Sequence, residues 1–173
     1  MRKTKSVLLV LILSFAAGSG LASADPEPAP PPGPPSLAEI TLTNIPHGWS
    51  GRHDLRPELE VYPDGRAIKK PDAAAIGRAP DVPPQQLNGS IRADVLRAAQ
   101  AEIRALSTVD LGEPTVTDES KQIIDLMPEE RGQEIHLILY APGFSEGLSP
   151  EQLDGRIRFA ALYRRLFDAF VQD

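Results

Sequence analysis

The chain has 173 residues, 18 Lys and Arg against 24 Asp and Glu, and a formal net charge of −6 with no cysteine. That excludes disulfides, a thiol nucleophile and cysteine-ligated metal, and it argues against binding nucleic acid or an anionic membrane through a general field. A domain without disulfides must be held by its core, and the chain is long enough to build one.

The sequence opens MRKTK, continues SVLLVLILSFAAGSGL and reaches the small-residue ending Ala22-Ser23-Ala24. A charged head, an apolar core and an A-x-A ending predict a signal peptide over residues 1–24, with Asp25 starting the mature chain. The apolar core falls short of the roughly 20 residues a membrane-spanning helix needs. Secretion, with no integral membrane association after cleavage, is the expectation. Loss of Arg2, Lys3 and Lys5 with no acid makes the remainder more acidic than the whole.

Residues 25–36 begin DPEPAPPPGPP, a proline-rich spacer for which polyproline II is the expected state. A folded domain is predicted over residues 37–173. In "AEITLTNI", Ile40 and Leu42 alternate with Thr41 and Thr43, as in a half-buried strand. "PELEVYPDGRAIKK" predicts a hairpin, with Asp64-Gly65 at the turn. Residues 71–89, rich in Pro, Ala and Gly, read as a surface connection.

A helix is predicted from about Ser90 to Leu106, capped by Asn88 or Ser90, with Ile91, Val95, Ala99, Ile103 and Leu106 on one stripe. "KQIIDLM" and "QEIHLILY" form a second hairpin across "PEERG". The last strand is apolar on both faces and is therefore expected at a central position. The final helix has a complete start: Ser149 caps, Pro150 takes the first turn and Gln152 closes a capping box. Leu153, Ile157, Ala160, Tyr163, Phe167, Phe170 and Val171 share one side, widened by Phe159, Leu162 and Leu166. That is more apolar surface than one sheet face requires, so a homodimer through this helix is one expected use. Arg156, Arg158, Arg164 and Arg165, offset by Asp154 and Asp168, read as a solvated flank.

The order β-β-β-α-β-β-α with hairpin connections predicts an α+β fold, an antiparallel sheet of about five strands with two helices packed on one face. Two turn motifs stand out. One is Tyr62, Asp64, Gly65 and Arg66; the other is Asp110, Gly112, Pro114, Thr117 and Asp118. With the strand "HLILYAPG" and the helix "RIRFAALYRRLFD", they resemble a family of small exported proteins of high-GC Gram-positive bacteria without an assigned activity. The resemblance covers roughly residues 58–170. It implies export and this fold, and it carries no catalytic residue.

The stretch "PHGWSGRHD" concentrates functional side chains: His47, Trp49, Ser50, Arg52, His53 and Asp54. Gly48-Trp49-Ser50-Gly51-Arg52 has arginine where a nucleophile elbow needs its second glycine. A serine hydrolase using Ser50 with His53 or His136 is thus the alternative reading rather than the leading one. His47 and His53, six apart, match no zinc spacing. "DLGEPTVTDES" offers acids for calcium, but turn chemistry explains it better. No catalytic residue, metal site or cofactor is expected. Trp49 has two placements open, presented outward as an interface anchor or folded onto the sheet edge.

The leading expectation is a non-enzymatic binding domain for a protein or cell-envelope component. Trp49, Arg52, His47 and His53 are its binding candidates, and nucleic acid is not a partner.

Overall fold

The computed structural model describes residues 36–49 and 51–173. The expected signal peptide over residues 1–24, nearly all of the expected spacer over residues 25–36, and Ser50 lie outside the described residues. The elements in chain order are β1 (Ile40–Ile45), β2 (Leu59–Val61), β3 (Arg66–Lys69), β4 (Leu87–Ser90), α1 (Ala93–Leu106), β5 (Lys121–Leu126), β6 (Ile135–Tyr140), α2 (Pro150–Asp168) and β7 (Val171–Gln172). The fold is α+β. One open sheet in the order β6-β5-β1-β2-β3-β4-β7 has every neighbour antiparallel.

The sheet has seven strands rather than about five. The two added ones are short. β4 occupies Asn88 and Ser90, which therefore cap nothing; α1 starts two residues beyond Ile91, behind Arg92, which makes no side-chain cap. β7 pairs with β4 across Gly89, where a Cβ would meet the Val171 carbonyl oxygen at 2.2 Å and the Phe170 ring at 2.7 Å. Only glycine lets the C-terminal strand lie there.

The predicted hairpin closes between β2 and β3. Tyr62 and Arg66 bond across it, and Gly65 takes φ +86 beneath the Ile91 carbonyl. Left-handed backbone with no room for a side chain explains the glycine.

One side of the sheet is the core face. Ile40, Leu42, Leu59, Val61, Ala67, Ile124, Leu126, Leu137 and Leu139 line it, and both helices pack on them. α1 contributes Leu96, Ala99, Ile103 and Leu106; α2 contributes Phe159, Leu162, Tyr163 and Leu166. The buried side of α2 is therefore rotated from the predicted stripe. Phe159, Leu162 and Leu166 sit at its centre, while Ile157 is 68% exposed. Most of the apolar surface that suggested a helix-mediated dimer is spent inside the chain's own core.

α2 starts as its sequence requires. Ser149 Oγ accepts from the Gln152 amide at 3.2 Å, Gln152 Oε1 accepts from the Ser149 amide at 2.9 Å, and Pro150 occupies the first turn. Arg156 corrects the expectation of a solvated arginine flank, because it is only 5% exposed. Its guanidinium donates to the carbonyls of Leu111, Gly112, Tyr140, Ala141 and Phe144 at 2.6–3.4 Å. The helix is brought down onto the 109–112 turn at Gly155, where a Cβ would meet Val109 at 2.6 Å. That close approach carries the next residue inward.

β6 is an edge strand, not a central one. Among the described residues no strand lies beyond it, and Ile138, on its face away from the core, is 44% exposed. No helix among the described residues is long and apolar enough to cross a membrane.

Candidate functional site

A groove of about 1100 Å³ opens at the end of the sheet where β1 and β6 finish, β5 starts, α1 ends and α2 begins. One wall is the 45–55 loop, with Ile45, Trp49, Arg52 and Leu55. The 106–113 stretch and Gln152 form another, and Asp118, Glu119 and Lys121 lead into β5. β6 supplies His136, Ile138 and Tyr140.

The 45–55 loop is built from consecutive turns: the Trp49 amide donates to Pro46, the Arg52 amide donates to Trp49, and Gly48 and Gly51 take positive φ. Trp49 folds inward and is 5% exposed. Arg52 lies over its ring at 4.1 Å, with the Arg78 guanidinium 5.9 Å away. The indole is thus a packed anchor for two cations. Arg52 also forks onto both oxygens of Asp54, and Arg78 reaches the same carboxylate at 2.9 Å. Two guanidinium groups, Arg52's first, hold the Asp54 carboxyl far below its ordinary value.

Arg78 binds the 71–89 connection to this cluster. Its head donates to the carbonyls of Ala73 and Val82 at 3.0 and 2.8 Å, and Arg52 donates to the Arg78 carbonyl at 3.0 Å. Among the described residues Arg78 Nε is buried without a partner. The connection is consequently strapped down rather than loose.

The other candidates are scattered. His47 is exposed, and its Nδ1 donates to the Asp118 carbonyl. His53 is exposed and is not among the groove-lining residues. Ser50 lies outside the described residues, so its pairing with either histidine is not part of this geometry.

His136 is the most chemically suggestive group. It stands opposite Asp125 in the β5–β6 register, and Asp125 stands opposite Thr41. His136 Nδ1 donates to Asp125 Oδ1, and Thr41 Oγ1 donates to Asp125 Oδ2 at 3.0 Å. In the neutral imidazole this arrangement leaves Nε2 as an acceptor. Among the described residues no hydroxyl bonds to Nε2, and the Thr41 hydroxyl is committed to the carboxylate. Reading the sequence alone misses Asp125 and Thr41, because their relation to His136 exists only once the register across the hairpin and β1 is known.

The Asp110–Asp118 turn is structural. Asp110 accepts from the Gly112 amide and from the Gln152 side chain, both at 2.8 Å, so it joins the turn to the cap of α2. Those two bonds, the Gln152 one first, hold its carboxyl below the ordinary value. Among the described residues no three acidic or histidine side chains gather as a metal would need.

Four carboxylates line the groove, from Asp110, Glu113, Asp118 and Glu119, against Arg52 and Lys121. Arg52 is already neutralised by Asp54. The groove is therefore net acidic and suits a neutral or cationic surface better than an anion. No family model matches the chain, and neither a curated protein nor a solved structure matches it.

Proposed function

We propose that this chain is an exported, non-enzymatic domain that binds a protein or cell-envelope component, with the groove as its contact surface. The observation that carries the reading is the groove itself: an acidic depression of about 1100 Å³ with Trp49 and Arg52 packed in its wall. Trp49 and Arg52 shape the wall, while Glu113 and Lys121 are exposed and offer charge to a partner. The resemblance to small exported proteins and the signal-like first 24 residues supply the export half of the proposal. On this reading the partner presents basic groups to the groove.

Immobilised protein, incubated with envelope extracts of the producing organism, tests the proposal. Glu113→Lys, which reverses an exposed charge without touching the core, should abolish capture of a species that the unmodified protein retains. Equal capture by both, or none by either, would count against it.

A second reading has one observation in its favour, the His136–Asp125 pair with Nε2 unengaged beside the groove. It is the hydrolase alternative, with Ser50 as nucleophile and His136 as base. A serine-directed fluorophosphonate that labels the folded protein, but not the Ser50→Ala variant, would establish it. Absence of an adduct removes it.

A further inference from the structure

Among the described residues, nothing blunts the edge that β6 exposes. Proteins usually protect such edges with lysine, proline, a bulge or a very short strand. The opposite edge, β7, is two residues long. β6 runs six residues as IHLILY, with no proline and no formally charged residue apart from a titratable histidine.

The register states which backbone groups are free. Ala141 donates to Ser120, and Met127 donates to Glu39. By alternation, β5 spends its even-numbered peptide groups on Leu137 and Leu139 and its odd-numbered ones on β1. The peptide groups of His136, Ile138 and Tyr140 therefore point away from the sheet. Among the described residues only the Tyr140 carbonyl finds a partner there, Arg156.

We propose that β6 pairs antiparallel with β6 of a second copy, on a two-fold axis through Ile138, joining two seven-stranded sheets into one. Parity demands that outward-pointing residues face outward-pointing residues, and centring on Ile138 places His136 opposite Tyr140 of the second copy. About four inter-chain hydrogen bonds use unengaged groups on both strands, and two more would share the Tyr140 carbonyl with Arg156.

Side chains fit the same register. Ile138, 44% exposed in the single chain, meets its own counterpart. In one chain Lys121 lies 5.8 Å from the Tyr140 ring, and Asp125 holds His136. Pairing aligns these as Lys121, Tyr140, His136 of the second copy and Asp125 of the second copy, a row running from cation to carboxylate. An isologous contact repeats that row in reverse, so both ends are complementary. A foreign strand would satisfy the backbone but would not be guaranteed this complementarity, which favours a second copy as occupant. The inference concerns assembly, but β6 also lines the groove through His136, Ile138 and Tyr140, so pairing there would cover that wall of the groove.

The chain's lack of cysteine makes the register directly testable. Sedimentation equilibrium should give a dimer. Mild oxidation should convert Ile138→Cys to a disulfide-linked dimer, since paired residues lie about 5.5 Å apart, within reach of a disulfide. Ile157→Cys, on α2 and more exposed than Ile138, should remain unlinked. Ile138→Lys sets like charges against each other on the axis. It should raise the dimer dissociation constant at least tenfold while leaving the circular dichroism of the chain unchanged. A monomer at high protein concentration would overturn the proposal. So would a dimer that cross-links through Ile157→Cys and ignores Ile138→Lys.

Discussion

The Tyr163 hydroxyl donates to Glu58 Oε2 at 2.7 Å, joining the middle of α2 to the residue that leads into β2. Both groups are largely removed from water. Burial pushes the Glu58 carboxyl above its ordinary value of 4.5, against the opposing hydrogen bonds from Tyr163 and Asn44. Burial, and then the nearby Glu58 charge, pushes the Tyr163 phenol far up, so it stays a donor throughout the working range.

The raised carboxyl fixes a sign. The folded state holds the Glu58 proton more tightly than the unfolded state, so this contribution is fully present below 4.5 and is lost as pH rises through the folded value. Glu58→Gln keeps an acceptor for Tyr163 and removes the titration. At neutral pH the variant should melt no lower than the parent, and the gap should close as pH falls below 4.5. Thermal unfolding followed across that window checks it. A variant that is less stable at neutral pH and recovers nothing in acid would show that the charge itself stabilises the fold.

Arg156 should be among the costliest polar positions to change. Its guanidinium satisfies five carbonyls around the exit of β6, including that of Ala141, which is held at φ +48. Burial lowers its pKa, and among the described residues no carboxylate pairs with it. Arg156→Ala should destabilise the protein by about 3 kcal/mol, and Arg156→Lys should recover little, because an ammonium cannot span the same carbonyls. Urea unfolding of both variants measures this.

Removing Arg78 should release the strap rather than unfold the domain. Its contacts run to the carbonyls of Ala73 and Val82 and to Asp54. In Arg78→Ala, limited proteolysis should cut first between residues 71 and 86, at a rate at least tenfold above the parent. The far side of the sheet should resist as before.

His136 and Asp125 should contribute little to folding. The pair is directly cross-strand and its histidine side chain is 58% exposed. Asp125→Asn should cost less than about 1 kcal/mol, the usual range of exposed pairs. A loss of several kcal/mol in urea unfolding would mean that the Thr41–Asp125–His136 row is holding the sheet together.

Local chemistry made much of the fold readable. The Asp64-Gly65 turn, the Ser149–Gln152 capping box and the alternation of Ile40 and Leu42 all depend on residues close in sequence, and each is found where its pattern puts it. What escaped was set by distant partners. Leu87–Ser90 is short and polar, and it becomes a strand only because β3 and the C-terminus flank it. β6 looks central because it is apolar on both sides, whereas the structure leaves one side without a neighbour. Arg156 looks solvated on a helical wheel, and only the close approach of Gly155 to Val109 carries it inside.

The candidate site divides in the same way. The loop carrying Trp49 and Arg52 was visible as a concentration of functional side chains, and the groove wall includes both. The acids of its lining, Asp110, Glu113, Asp118 and Glu119, were visible together in "DLGEPTVTDES", but no local pattern shows that they face the 45–55 loop across a groove. Nor was the sharing of Asp54 between Arg52 and Arg78, separated by 26 residues, signalled by any spacing.

Binding in the groove is the central claim, and native mass spectrometry of the protein recovered from the producing organism's culture medium tests it most directly. The account predicts a chain beginning at Asp25 that carries an additional polypeptide or envelope component, absent when Glu113→Lys is expressed instead. A chain that carries nothing, or a complex indifferent to that charge reversal, would contradict it.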